Sequence, residues 1–179
     1  MPRLFVAIDL PDDVQEQISD IACDVPAARR APIDQLHITL SFLGEAHEGA
    51  FLDVREALDD VDSPPFDITL RSVGFFPPRR DPRVLWVGVD PCDALLRLQR
   101  EVQSVVQSCG VETEKRTFSP HVTVARIKEG SPVQAIVPFL QENALFCAGP
   151  VHVTEFQLYS SHLSPDGAVH TVEQRYELV

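Results

Sequence analysis

Hydrophobic and polar positions alternate along residues 36–42 and again along residues 120–126. In an extended chain successive side chains point to opposite faces, so His37, Thr39 and Ser41 share one face while Ile38, Leu40 and Phe42 share the other. The second segment repeats this, with His121 and Thr123 opposed by Val122 and Val124. Both segments are predicted to be strands whose apolar face enters a core and whose polar face sets an imidazole beside a hydroxyl. Under strict alternation Arg126 falls on the apolar side, and it reaches the polar face only through a bulge.

The flanking segments follow from the same patterning. Residues 4–8 are an unbroken apolar run ending at Asp9 and Pro11, which predicts a strand followed by a helix start. Val14, Ile18, Ile21 and Val25 recur at helical spacing up to Pro26, and Arg29-Arg30-Ala31-Pro32 then reads as a loop. Phe51, Val54, Leu58 and Val61 mark a second helix closed by Ser63-Pro64-Pro65, and residues 66–76 alternate as a strand. After the break at Pro77-Pro78-Arg79-Arg80-Asp81-Pro82 the order starts again: a strand over 84–89, then a helix on Leu95, Leu98, Val102, Val105 and Val106. Beyond the second histidine strand, Ser131-Pro132 opens a helix that Pro138 kinks or restarts. Residues 151–160 predict one strand, and 169–178 a last one on a sheet edge.

His37 and His121 lie 84 residues apart, and Leu4 and Leu85 lie 81 apart, a near-constant offset that marks a duplicated unit. The expected architecture is a single α+β domain over residues 1–179, with a first repeat of about 1–78 and a second of about 83–179. Two strand-helix-strand-helix-strand units packed about a pseudo-twofold axis would form two lobes, with antiparallel sheets around a central cleft and the two histidines facing each other.

A pair of imidazoles across one cleft can divide the base and the acid of a single displacement. Phosphoryl transfer suits that division, because the attacking oxygen loses a proton on one side of phosphorus while the leaving oxygen gains one on the other. Thr39 and Thr123, on the same faces as the histidines, can donate hydrogen bonds to the non-bridging oxygens. Ser41, Phe42, Arg116 and Arg126 are further candidates for substrate contact, with Lys128 an alternative. A lone H-x-T in a strand is ordinarily a partly buried polar position; its recurrence in equivalent places of a repeat carries the functional reading. His47, His152, His162 and His170 are expected in surface or structural roles. No spacing among them or the cysteines suits zinc, so neither metal nor cofactor is expected.

Composition narrows the field. At 44% hydrophobic and 23% charged residues the chain reads as a soluble globular protein, expected to be a monomer. No stretch approaches membrane-spanning length, and the opening run meets Asp9 before it resembles a signal, so a cytoplasmic location is expected. Cys23, Cys92, Cys109 and Cys147 include no C-x-x-C pair and are expected to be reduced and buried. A net charge of −12 argues against coating long nucleic acids but not against binding a nucleotide or an RNA end. Arg29-Arg30 and Arg79-Arg80 are expected at the cleft mouth.

His37-Ile38-Thr39-Leu40 and His121-Val122-Thr123-Val124 resemble the paired H-x-T-x motifs of the two-histidine phosphoesterases. Arg3-Leu4-Phe5-Val6-Ala7-Ile8, Phe42-Leu43-Gly44, Phe118-Ser119-Pro120 and Ala125-Arg126 narrow the resemblance to the RNA 2′,3′-cyclic phosphodiesterases, also called 2′-5′ RNA ligases. The resemblance spans nearly the whole chain. It implies a two-lobed α+β fold and metal-independent opening of a terminal 2′,3′-cyclic phosphate to a 2′-phosphomonoester. His37 then matches the proton donor to the departing 3′ oxygen, His121 the base that activates water, and Thr39 and Thr123 the phosphate-holding hydroxyls. An RNA 5′-hydroxyl in place of water would give weak 2′-5′ ligation. One departure is His170, where the family often carries Tyr. Left open are the same chemistry on a small cyclic nucleotide, a 2′-5′ oligonucleotide or an ADP-ribose cyclic phosphate, an RNA-end-binding module without turnover, and a purely structural protein.

Overall fold

The computed structural model describes residues 3–21, 24–26, 28–79 and 81–179, so Cys23 and Arg80 lie outside the described residues. In chain order the elements are β1 (Arg3–Asp9), α1 (Asp12–Ser19), β2 (Ala28–Arg30), a 3-10 turn (Ile33–Gln35), β3 (His37–Glu45), α2 (Glu48–Ala57) and β4 (Phe66–Phe76). There follow β5 (Val84–Val89), α3 (Asp93–Ser108), β6 (His121–Ile127), a 3-10 turn (Val133–Ile136) running into α4 (Val137–Glu142), β7 (Cys147–Val153), β8 (Glu155–Ser164) and β9 (Gly167–Glu177). Among the described residues no helix is long and apolar enough to cross a membrane.

The strands form one antiparallel sheet in the order β7-β4-β5-β6-β3-β1-β8-β9, with β2 added on β6. β3 and β6 stand at the middle, flanked by β1 and β5, then by β8 and β4, with β9 and β7 at the edges. The two arms are therefore pseudo-symmetric, but neither arm is one half of the chain. β4 joins β5 and β6 from the second half, while β8 and β9 join β1 and β3 from the first. Helix α3 ties the halves together by packing on β3 and β4, burying Leu95, Leu98, Val102 and Val106, which fall on one stripe at three- and four-residue spacing.

Three sequence expectations change. Helix α1 stops at Ser19 rather than near Pro26, although Ile21 and Val25 still enter the core. Arg29-Arg30 is not loop but strand, because β3 and β6 pair only at Ile38↔Val122 and leave the later part of β6 open to β2. The one strand expected over 151–160 is two, β7 on β4 and β8 on β1. The apolar positions change phase there: Val151 and Val153 are buried in the first, Phe156 and Leu158 in the second.

Paired bulges set the faces of the two histidine strands. Against β1 the register passes from Val6↔Ser41 to Ala7↔Thr39, skipping Leu40. Against β5 it passes from Leu85↔Ala125 to Trp86↔Thr123, skipping Val124, which holds the same place after its histidine. An extra residue resets alternation. Leu40 and Ser41 are thus both buried while Phe42 is 50% exposed, and Val124 and Ala125 are both buried while Arg126 is exposed. Phe42, expected in the core, and Ser41, expected on the polar face, exchange sides.

Ring volume is balanced differently on the two arms. On one, Phe5 opposes Tyr159 and the rings stack at 5.0 Å. On the other, Trp86 opposes Gly74, and a Cβ at Gly74 would meet the Trp86 ring at 2.3 Å. Gly74→Ala is expected to cost about 1–3 kcal/mol by overpacking. Urea unfolding followed through the fluorescence of Trp86, the one tryptophan of the chain, measures it; an unchanged midpoint and emission would show that the ring moves aside freely.

Candidate active site

A cleft of about 830 Å³ runs along the sheet where β3 and β6 diverge, and His37, Thr39, His121 and Thr123 all line it. The four side chains come from two strands that touch at one residue pair between the motifs, so neither histidine needs a long loop to reach the other's neighbourhood. Phe42 and Arg126, turned by the two bulges, line the same cleft, as do Arg3, Phe5, Arg29 and Arg30.

Each imidazole is oriented by the backbone two residues before it. His121 Nδ1 lies 2.7 Å from the carbonyl oxygen of Ser119, and the His37 ring is hydrogen-bonded to the backbone of Gln35. A carbonyl only accepts, so the His121 Nδ1 carries the hydrogen and Nε2 is left to take up or release a proton. Burial pushes the His37 imidazole down to about 4, its neighbour His170 and then His121 press it the same way, and the Gln35 bond opposes them. His121 is lowered by burial as well, and by the Arg126 guanidinium, against the pull of the Ser119 bond. With no anion beside them, both rings are neutral near pH 7.

Aromatic packing fixes the ring planes. Phe5 stacks on His37 at 5.1 Å and is itself backed by Tyr159, whose hydroxyl donates to the Asp9 carboxylate. His170 stands edge-on to His37 at 5.9 Å and 83°. On the other arm Phe76 stands edge-on to His121 at 4.9 Å and 78°. Stacking against a hydrophobic ring costs no hydrogen bond and resists rotation of the imidazole about its side-chain bonds.

The basic groups divide. Arg126 makes no ion pair among the described residues and is available to an anion in the cleft. Arg29 donates from Nη2 to the Asp166 carbonyl at 2.6 Å, which ties β2 to the β8–β9 turn across the mouth. Arg30 donates from Nη2 to the carbonyls of Ser19 and Ile21, so much of its hydrogen-bonding capacity is used in closing the end of α1. Arg79, Arg116 and Lys128 do not line the cleft, and neither does Ser41, which is 8% exposed.

The other histidines also divide. His47 caps α2 by accepting from the Ala50 N–H, and His152 pairs with Asp67 at 2.7 Å. His162 and His170, expected in surface or structural roles, line the cleft because the β8–β9 hairpin forms one of its walls. Phe5, Gln35 and His170 were not singled out as site residues by the chain pattern. Phe5 and His170 reach the site through strand pairing, whereas Gln35 carries a local signal, its fixed place two residues before the histidine.

Residues 10–165 match the family model of the 2′-5′ RNA ligase superfamily. The RNA 2′,3′-cyclic phosphodiesterase of Archaeoglobus fulgidus is 34% identical over 171 residues, 94% of this chain and 96% of that one. The protein of the same name from Thermotoga maritima is 32% identical over 176 residues, 95% and 92% of the two chains. Among solved structures, E. coli LigT complexed with 3′-AMP aligns with a TM-score of 0.80 at 29% identity, covering 100% of this chain and 99% of its own. With the match running across both histidine strands and these relatives aligned over nearly their whole length, the chain belongs to the 2′-5′ RNA ligase superfamily of two-histidine phosphoesterases.

Proposed function

We propose that this protein hydrolyses the terminal 2′,3′-cyclic phosphate of RNA to a 2′-phosphomonoester by metal-independent acid/base catalysis. The observation that carries the reading is that His37, Thr39, His121 and Thr123 line one cleft, with each imidazole tied to the backbone two residues before it. The substrate class is supported by the relatives named RNA 2′,3′-cyclic phosphodiesterase. Free Cys92, Cys109 and Cys147 suit a reducing, cytoplasmic setting.

In this reading the cyclic phosphodiester lies between the two imidazoles; its negative charge favours the protonated form of His37, while the Arg126 guanidinium favours neutral His121. Water attacks phosphorus and passes a proton to Nε2 of His121. The bond from phosphorus to the 3′ oxygen breaks, and His37 supplies the proton that oxygen needs. The product carries a 2′-phosphate and a 3′-hydroxyl, and one solvent proton exchange restores both rings. Thr39 and Thr123 donate to the non-bridging oxygens, where charge grows in the transition state, and Arg126 adds a positive charge on the His121 side. Phe42 offers an exposed ring against which a ribose or base can pack. An RNA 5′-hydroxyl in the place of water leads, by the same steps, to weak 2′-5′ ligation.

His37→Ala and His121→Ala are each expected to lower kcat at least about 100-fold on a short RNA ending in a 2′,3′-cyclic phosphate, assayed in EDTA. Unchanged thermal melting shows that the variants fold, and phosphorus NMR identifies the product. Turnover that survives both substitutions, or that EDTA abolishes in the wild type, would overturn the reading.

The His37 ring should titrate near 4 in the free protein and move upward when 2′-AMP is added, as followed by imidazole NMR. The unfolded chain takes a proton at this site near 6.5, where the native ring still refuses it. Native stability from this group is therefore complete above 6.5 and declines as pH falls toward about 4. His37→Gln should flatten that part of a melting-temperature profile; an unchanged slope would show that His37 is not the group concerned.

A further inference from the structure

The two arms of the cleft are not equivalent: His121 faces Phe76 and Trp86, while His37 faces a second imidazole, His170. We propose that His170 is a positioning residue that competes with His37 for the one positive charge this side of the cleft can hold, and thereby sets how readily His37 is charged.

The geometry leaves room for one positive charge on this side. The rings stand edge to face at 5.9 Å, and Phe5 borders both, at 5.1 Å from His37 and 5.0 Å from His170. Two like charges at that spacing in a partly dry site disfavour each other, and the pair titrates as a unit. Burial weighs most heavily against charge on His37, and hydrogen bonding offsets part of it there but not on His170. His37 has the Gln35 backbone to receive its N–H, whereas the His170 Nδ1 is enclosed with no partner among the described residues. Charging His170 would place a hydrogen on that enclosed nitrogen with nothing to accept it, a cost that charging His37 does not incur.

The arrangement is held from the same short segment. Gln35, whose backbone bonds His37, also donates from Nε2 to the Ala168 carbonyl at 2.8 Å, fixing the hairpin two residues before His170. Around the pair, Asp34 from the preceding turn favours charge on His170 while burial opposes it. Tyr159 of β8 lies edge-on at 6.5 Å, His121 presses on His37 from β6, and Arg3, Arg29, Glu45 and Asp166 complete the charged wall.

The effect on turnover rests on the assignment of His37 as proton donor, but the competition for charge is read without it. In NMR titrations of the free protein, His170→Gln should raise the His37 midpoint by about half a pH unit, and His170→Lys should lower it, because one replacement removes a competing charge and the other makes it permanent. Circular dichroism and melting establish that each variant folds, and the Gln variant suffices if the Lys variant does not. A His37 midpoint that stays put, or moves the same way in both folded variants, overturns the proposal. The acid limb of kcat/KM should follow the His37 midpoint in His170→Gln; a limb that fails to follow removes the role in turnover. Should His37→Ala retain turnover while the midpoint moves as expected in the His170 variants, the donor assignment fails and the competition for charge stands.

Discussion

Strands β3 and β6 touch through one residue pair, Ile38 against Val122, and then part. A longer ladder would bring two continuous strands together and close the space between their polar faces. A missing one would leave the two arms of the sheet without a join. One pair holds the arms together while the cleft opens beside it, and both members of that pair are fully buried. Burying such side chains contributes about 1.5–3 kcal/mol each, so the join is anchored from the core side and the histidines, one residue earlier on each strand, are carried to the opposite face.

The histidines are placed there at a cost in hydration, and the surroundings show how it is met. Each ring keeps one hydrogen bond to the chain just before it and is packed against aromatic rings. Burial then disfavours charge on both rings, while the Thr39 and Thr123 side chains line the same cleft from the same rigid strands. The bulges at Leu40 and Val124 extend this economy. By inserting one extra residue at the same place in both strands they keep the core side filled and turn Phe42 and Arg126 into the cleft.

Symmetry ends at the β8–β9 hairpin. It rises on the His37 side, is tied down by Arg29 and Gln35, and brings His162 and His170 to the wall. The twin arm carries β7 in the corresponding edge position, which ends at Val153 before the chain crosses to the far side of the sheet. Two histidine strands that share one H-x-T pattern are thereby given different neighbours, and different neighbours are what two groups of one kind need if one is to release a proton while the other accepts it.

Much of this was legible in the chain. Alternation over a few residues is a local property, so both histidine strands, the pairing of His37 with Thr39 and of His121 with Thr123, and the duplicated order of elements could be read directly. So could the stripe on α3, because helical spacing is set by the backbone itself. The break between Val153 and Phe156 is written only as a change of phase, which a single apolar run of that length does not distinguish from one strand. The strand character of Arg29-Arg30 depended on β6 having an open edge, the exchange of Ser41 with Phe42 on a register shift against β1, and the arrival of His170 on the pairing of β9 with β8. The chain by itself determined which side chains are candidates for the chemistry, because residue type and local period are written in neighbouring positions. Only the tertiary structure decided which of them meet, because register, bulges and hairpin placement are settled by partners distant in sequence.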